Sequence, residues 1–504
     1  MMLNIIFIIR YFSIKCNAKL CAAGCIEKDT VVYSWKKPFY RGIIILYPNT
    51  ARKSSFFNRL LSNPPRVIVI SFALLILFGT CLLMLPVSSK SGIVTPFADA
   101  LFTATSATCV TGLVVRDTAT YFSGFGQGII LALIQFGGLG LVSFAAFFNI
   151  AIRKKTGLKG LQVARESVNS SDAGSDLGRL LTMLFSITLM FELAGALILS
   201  FVLIPQFGVY GIFQSLFVSV SAYCNAGFDL FGILGPYSSM TPFYSNPLVL
   251  ITVSVLIISG GLGLVVWEDF YHLRKRHKLL LHTRIVLIAT AVLLVSGTVL
   301  IAALEWNNPA TIGGMHAGEK ILNSFFTSVS ARTAGFNSFS IVDMTGLTKL
   351  LMIFLMFIGA APGSTGGGIK VTTFYVLITT VGSALAGKTD PVIRHRRVDK
   401  SIVYKSLAIV AVAIAAVIVC TATIVFTSDL SGLSEIDAIF ESVSAFATVG
   451  LSAGVTETAS RISRLTLIFA MFLGRVGPMS LALSMTMRPL QKNTVMPEAK
   501  IMVG

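Results

Sequence analysis

Apolar residues run through this chain in long blocks. Segments 66–87, 180–203, 248–267 and 402–426 each exceed the roughly 18 residues that mark a membrane-spanning helix candidate. Between such blocks lie shorter apolar stretches, each ending in small polar residues and a glycine. They read FTATSATCVTGL (102–113), FVSVSAYCNAGF (217–228), FTSVSARTAGF (326–336, one residue shorter) and FESVSAFATVGL (440–451). The closing glycines, Gly112, Gly227, Gly335 and Gly450, are 115, 108 and 115 residues apart. About ten helical residues are too few to cross a bilayer, and four independent surface loops have no reason to share a pattern and its flanks. The spacing predicts a fourfold array of helix, re-entrant short helix with loop, then helix.

Non-helical backbone is tolerated at membrane depth only where protein buries it or where it lines a water-filled path. Glycine permits left-handed backbone and leaves room at a narrow point. Four such loops around one axis can replace the hydration shell of a cation with carbonyl oxygens, as four copies of TVGYG do in potassium channels. The short helices would aim their partially negative C-termini at the ion. The candidate cation-binding residues are therefore Val110, Thr111, Gly112 and Leu113 in the first loop and Asn225, Ala226, Gly227 and Phe228 in the second. Thr333, Ala334, Gly335 and Phe336 follow in the third, and Thr448, Val449, Gly450 and Leu451 in the fourth. The expected fold is an all-α polytopic membrane protein. It has four helix–re-entrant pore loop–helix repeats, hence eight transmembrane helices, around one central pore. The repeats divide the chain into residues 61–155, 156–275, 276–390 and 391–504, after a cytoplasmic N-terminal extension, 1–60, to which no regular element is assigned.

Composition agrees and removes other classes. Only 12% of residues are charged, against about a quarter in soluble chains. A net charge of +18 could attract nucleic-acid phosphates if it were clustered on one surface. Instead, sixteen Lys and Arg fall in segments 153–179, 274–284 and 388–400, while the alternate connections hold scattered acids such as Asp229, Asp343, Asp429 and Glu435. That is the positive-inside pattern, which places the basic connections in the cytoplasm and, with Arg52, Lys53, Arg59 and Arg66, the N-terminus too. No nucleic-acid partner is expected. The seven cysteines show no metal-ligand spacing and read as free thiols. No nucleophile–base constellation is present, so no enzyme is expected. MMLNIIFIIRYF at the start is too short and interrupted to span, and no clear cleavage site follows it.

Two features stand outside the repeat. The second helix of the third repeat, LMIFLMFIGAAPGSTGGGIKVTTF (351–374), is interrupted by a proline and a glycine cluster. Tight helix packing through small residues is one reading; a broken helix with a loop in its middle accounts better for PGSTGGG in one turn-rich stretch. In the last helix, FLGRVGPMSLAL (472–483), Arg475 sits in an apolar span, where an arginine is costly unless it faces water or a partner.

With the four loops and the RTAGF segment, these features make the chain resemble the membrane subunit of a Ktr-type potassium uptake system, in the Trk/Ktr/HKT superfamily, over roughly residues 60–504. The resemblance implies an intramembrane gating loop formed by Ala360, Ala361, Pro362, Gly363, Ser364, Thr365, Gly366, Gly367 and Gly368, with Arg475 projecting into the pore beside it. It implies K+ as the transported ion at the filter carbonyls, since glycine in the first loop, here Gly112, accompanies potassium preference. Na+ is a candidate activator, and no covalently bound cofactor is expected. It implies a homodimer in the cell (cytoplasmic) membrane, surrounded by lipid and with both termini cytoplasmic. That dimer would sit on a ring of RCK-type regulatory subunits carrying ATP, ADP or NAD, for which the basic connections and the C-terminal PEAKIMVG are candidate contacts. The rival is a sodium- or proton-coupled secondary cation transporter built on broken helices; four repeats that all begin on one side favour the pore.

Weaker patterns remain. GGLG at 137–140 and 260–263 lacks a phosphate-binding layout and reads as close helix packing. Glu192 lies in an apolar span, where it is expected to hydrogen-bond inside the bundle or to be protonated, with no role assigned. Lys370, directly after the glycine cluster, is placed to set the position of the loop. Arg332 is expected to point away from the pore, braced behind the filter by a carboxylate or by carbonyls, with Glu441 as a candidate partner.

Overall fold

A computed structural model describes residues 30–33, 45–48, 64–140, 143, 177–388, 390–394, 396–428, 432 and 434–485. The basic stretch 153–176, Asp429 and PEAKIMVG lie outside them. Residues 1–60 and 61–504 are two separate units. In the first, β1 (Thr30–Tyr33) pairs antiparallel with β2 (Ile45–Pro48), in an extension to which the sequence assigned no element.

The second unit is helical. Among the described residues, four single helices are long and apolar enough to cross a membrane: α1 (Pro64–Leu83), α4 (Leu177–Phe207), α8 (Leu281–Glu305) and α12 (Lys400–Thr427). They carry exposed apolar side chains such as Phe78, Phe201, Val299 and Val419. Each is followed by a short helix, respectively α2 (Phe97–Thr108), α5 (Tyr210–Tyr223), α9 (Ala317–Ser330) and α13 (Glu435–Phe446). These bury small hydroxyl residues instead, among them Thr105, Ser106, Ser219, Ser221, Ser328, Ser442 and Ser444. The described helices of this unit are apolar outside and bury these hydroxyls among apolar core residues.

A third set follows: α3 (Gly124–Leu139), α6 (Pro247–Leu262), α10 (Gly346–Phe357) and α14 (Arg461–Val476). All four start on a side-chain cap, from Ser123, Asn246, Thr345 and Ser460, whose oxygens accept backbone N–H groups of the first turn. Three of them stop at a glycine with left-handed backbone, Gly140, Gly263 and Gly477. The apolar run 248–267, expected as one span, is therefore broken: at Gly263 the chain turns by 92° into α7 (Leu264–Arg276). After the third break comes α11 (Val371–Leu385), and after the fourth, α15 (Pro478–Met485).

Packing runs in a cycle. α3 packs on α5, α6 on α9, α10 on α13, and α14 returns to α2. Each helix that follows a glycine loop thus braces the short helix of the next, and the last braces the first.

Candidate functional site

Each short helix runs into a glycine loop, and the four loops share one backbone conformation. Left-handed angles occur at Val110 and Gly112 (φ 57° and 93°), Asn225 and Gly227 (59° and 71°), Thr333 and Gly335 (65° and 78°), and Thr448 and Gly450 (51° and 92°). The residue between each pair is not left-handed. Such alternation turns successive peptide groups the same way, so neighbouring carbonyls can face one axis. A β-branched residue with positive φ is a genuine outlier, and three of these positions are Val or Thr.

A serine holds the loop in three copies. Gly112 N donates to Ser106 Oγ (3.1 Å), Phe228 N to Ser221 Oγ (3.0 Å) and Gly450 N to Ser444 Oγ (3.1 Å). The third copy lacks one residue and makes no such bond to its serine hydroxyl; Ala334 N still reaches the Ser330 carbonyl (3.0 Å), as Thr111 N, Ala226 N and Val449 N reach those of Ser106, Ser221 and Ser444. The Ser330 hydroxyl is buried without a protein partner.

The loops converge. A Cβ added to Gly112 would lie 2.6 Å from Ala226 O, one on Gly227 2.8 Å from Ala334 O, and one on Gly335 2.6 Å from Val449 O. On Gly450 it would collide with Thr111 O. The contacts close a ring in chain order, and no side chain fits at any of the four glycines. On the downstream side of the loops a cavity of about 520 Å³ is lined by all four glycines and by Asp117, Asp229 and Glu457. Carboxylates around a cleft raise the local concentration of cations. On the upstream side a second cavity, of about 330 Å³, is lined by Gly363 to Gly366, Gly368, Lys370 and Arg475, among others.

Segment 360–368 lies against the upstream face of the ring. Its base is pinned, with Gly359 N donating to Ile369 O (2.8 Å) and Val371 N to Ala360 O (3.2 Å). The break in α6 leaves carbonyls without helical partners, and the segment takes them up. Ala361 N bonds Gly261 O (3.1 Å), Thr365 N bonds Gly260 O (3.3 Å), and Gly363 O accepts from Leu264 N (3.0 Å). Thr365 Oγ1 is 3.1 Å from both Tyr223 O and Asn225 Oδ1 in the second loop. Gly366 and Gly367 sit so close to Thr333 Oγ1 and Thr448 Oγ1 that neither has room for a Cβ. The segment therefore covers loops two, three and four. Arg475 reaches the remaining quarter: its guanidinium donates to Thr365 O, Gly137 O and Gly138 O, the last at 2.9 Å. Lys370 Nζ donates to Gly366 O (2.7 Å), holding the segment as expected.

The sequence matches the family described as TrkH, cation transport protein, over residues 41–495. It is 38% identical over 456 residues to the Ktr system potassium uptake protein B of Bacillus subtilis, covering 90% of this chain and 100% of that protein. The chain belongs to the TrkH/Ktr family. Another member, the Ktr system potassium uptake protein B of Vibrio alginolyticus, is 40% identical over 443 residues, 87% of this chain and 95% of that one. The potassium/sodium uptake protein NtpJ of Enterococcus hirae is 37% identical over 446 residues, 88% and 97%. The crystal structure of the potassium transporter TrkH from Vibrio parahaemolyticus superposes with a TM-score of 0.64 at 17% identity, covering 88% of this chain and 87% of that one. At that identity the likeness is one of fold. The TrkH/Ktr family is one of membrane transporters rather than enzymes, and this member is a multi-pass membrane protein.

Three readings of this TrkH/Ktr chain change with the geometry. Arg475 does not sit in an unbroken helix; it is in the last turn of α14, two residues before the break at Gly477, where its charge meets free carbonyls at helix ends. Glu441 is not the partner of Arg332. Its carboxylate accepts from Ser452 Oγ, Ala453 N and Thr456 Oγ1 behind the fourth loop, while Arg332 Nη2 donates to Gly359 O (3.2 Å). Glu192 has a role after all: Oε2 accepts from Gln135 Nε2 (3.3 Å), Oε1 is 3.9 Å from Cys224 Sγ, and its backbone carbonyl accepts from Ser219 Oγ (2.6 Å). It braces the second short helix.

The GGLG motifs serve close packing and also end helices. Cβ atoms on Gly137, Gly260 and Gly474 would strike the carbonyls of Thr108, Tyr223 and Phe446, the last residues of three short helices. The second glycine of each pair, Gly140, Gly263 or Gly477, breaks the helix. The signal was present as G-x-x-G in three repeats, with Arg475 at the place of Gly138 and Gly261.

Proposed function

We propose that this protein carries K+ into the cell through the ring of glycine loops. The closed contact of Gly112, Gly227, Gly335 and Gly450 is the observation that supports the reading, with residues 110–113, 225–228, 333–336 and 448–451 as the filter loops. Their carbonyls act as the selectivity filter, replacing the water around a dehydrated cation. Eight helices in four repeats surround it. The cavity with Asp117, Asp229 and Glu457 is the outer mouth, and the basic connections and both termini are cytoplasmic.

Segment 360–368 and Arg475 form the gate. In the observed conformation the segment lies against three loops and the guanidinium beside the first. A positive charge on the path disfavours a resting cation, so conduction requires loop and arginine to move together. Two relatives named potassium uptake proteins, at 38% and 40% identity, support K+ as the substrate. The name of the Enterococcus relative keeps Na+ in view as a second ion or activator. By the same family resemblance the protein works as a homodimer on a cytoplasmic ring of RCK-type subunits that bind the regulating nucleotide.

The test is growth of a potassium-uptake-deficient bacterium on low potassium, with this chain and a compatible ring subunit expressed. Rescue is expected. Absence of rescue, with the protein present in the membrane, overturns the proposal.

A further inference from the structure

Arg332 occupies a place where the other loops have Cys109, Cys224 and Ala447, counted back from the glycine. Its residue is only 7% exposed. Among the described residues no carboxylate bonds to it. One nitrogen, Nη2, donates to Gly359 O (3.2 Å), while Nε and Nη1 are buried without protein acceptors. Gly359 begins the pinned base of segment 360–368. The next residue, Thr333, has its hydroxyl against Gly366 in the middle of that segment. Two adjacent residues of the third loop thus touch the segment at its base and its middle. The third repeat is also the one whose following helix gives way to that segment.

A guanidinium buried without a counter-charge is costly. Its interaction with the free carbonyls at the end of α10 returns only a small part of that cost. Beside it lies a small space of about 10 Å³, lined by Ile257, Ile258, Gly261, Thr290, Leu294 and Ala360. That is room for about one water, or for the side chain to shift. Free donors next to free space suit a group that exchanges partners.

Accepting the gate reading above, we infer that Arg332 is a positioning residue that latches the base of segment 360–368 to the third filter loop, so that closure of the gate and the shape of the filter are set together. The carbonyl of Arg332 accepts from Asn225 Nδ2 (3.2 Å), so the same residue ties the third loop to the second. Loosening the latch favours withdrawal of the segment and lets Thr333 relax.

The test uses the purified full chain in liposomes, with Rb+ uptake followed as a function of concentration. Arg332→Gln is expected to raise Vmax roughly tenfold with KM unchanged, equivalent to about 1.4 kcal/mol lost from the closed state. It is also expected to lower K+/Na+ discrimination. Arg332→Lys, which keeps a donor and a charge, should stay near the parent. In a variant lacking residues 362–367, adding Arg332→Gln should raise Vmax no further, since the latch then holds nothing. The same fold-change in both backgrounds, or no rise in the first, overturns the latch. If the shortened variant alone takes up Rb+ no faster than the parent, the gate reading fails instead. If neither Arg332 variant reaches the membrane folded, Arg332 serves folding alone and the inference falls.

Discussion

Val110, Thr333 and Thr448 hold left-handed backbone that β-branched side chains avoid, and each is two residues before a glycine that is left-handed too. Strained backbone of this kind persists only where the surroundings over-determine it. Here the surroundings are the serine bonds from the short helices and the contact of each loop with its neighbour. Gly112 shows the constraint most simply. Its φ of 93° and the 2.6 Å approach of Ala226 O to any added Cβ both exclude a side chain, at a cost of roughly 1–2 kcal/mol for the angle alone. Gly112→Ser is expected to reduce uptake and relax discrimination against Na+, measured as Rb+ influx in competition with Na+. An unchanged ratio removes Gly112 from the filter. The fourfold motif made these glycines legible. It did not show what the one-residue shortening of the third copy does, because the lost bond to Ser330 Oγ depends on helix register.

At the scale of elements, the informative feature is how the helices end. α3, α6 and α14 stop at a glycine two residues after Gly138, Gly261 and Arg475 respectively. A helix that stops inside the molecule leaves carbonyls unpaired. Segment 360–368 takes those of α6, and Arg475 takes those of α3. Segment 360–368 and the broken helices are one bonded system. Hydropathy could not reveal the break at Gly263, because leucines stand on both sides of it. Removing 362–367 while keeping the Gly359–Ile369 pairing is expected to raise Rb+ flux severalfold in liposomes. Lost flux in correctly folded protein would contradict a gate.

The helical unit is held as a cycle: each helix after a glycine loop packs on the short helix of the next repeat, and α14 closes onto α2. One such contact, between α10 and α13, includes the buried pair Lys349–Asp437 at 2.6 Å, where Asp437 also caps its own helix through Ser434 N and Oγ. The two faces of the cycle differ in charge, with Asp117, Asp229 and Glu457 around one cavity and Lys370 and Arg475 around the other. The expected orientation can be checked by labelling. Glu457→Cys should react with a membrane-impermeant maleimide in intact cells, and Lys388→Cys only after permeabilisation. The reverse result inverts the topology.

The amino-acid sequence alone determined the local content of this protein. Apolar blocks marked the long helices, the recurrent Phe…Ser-Ala…Gly motif marked the four loops, and the glycine cluster at 363–368 marked an interrupted helix. Those are properties of neighbouring residues, and composition and spacing carry them. The tertiary structure decided which distant groups meet. It placed Ala226 O against Gly112 and Thr111 O against Gly450, gave Arg332 to Gly359 instead of Glu441, and put Arg475 at the end of a broken helix. Such pairings join residues far apart in the chain, as Arg475 and Gly137 are, 338 positions apart. Each depends on where a helix stops and which face its last carbonyls present, and those geometric facts emerge only when the repeats close on one another.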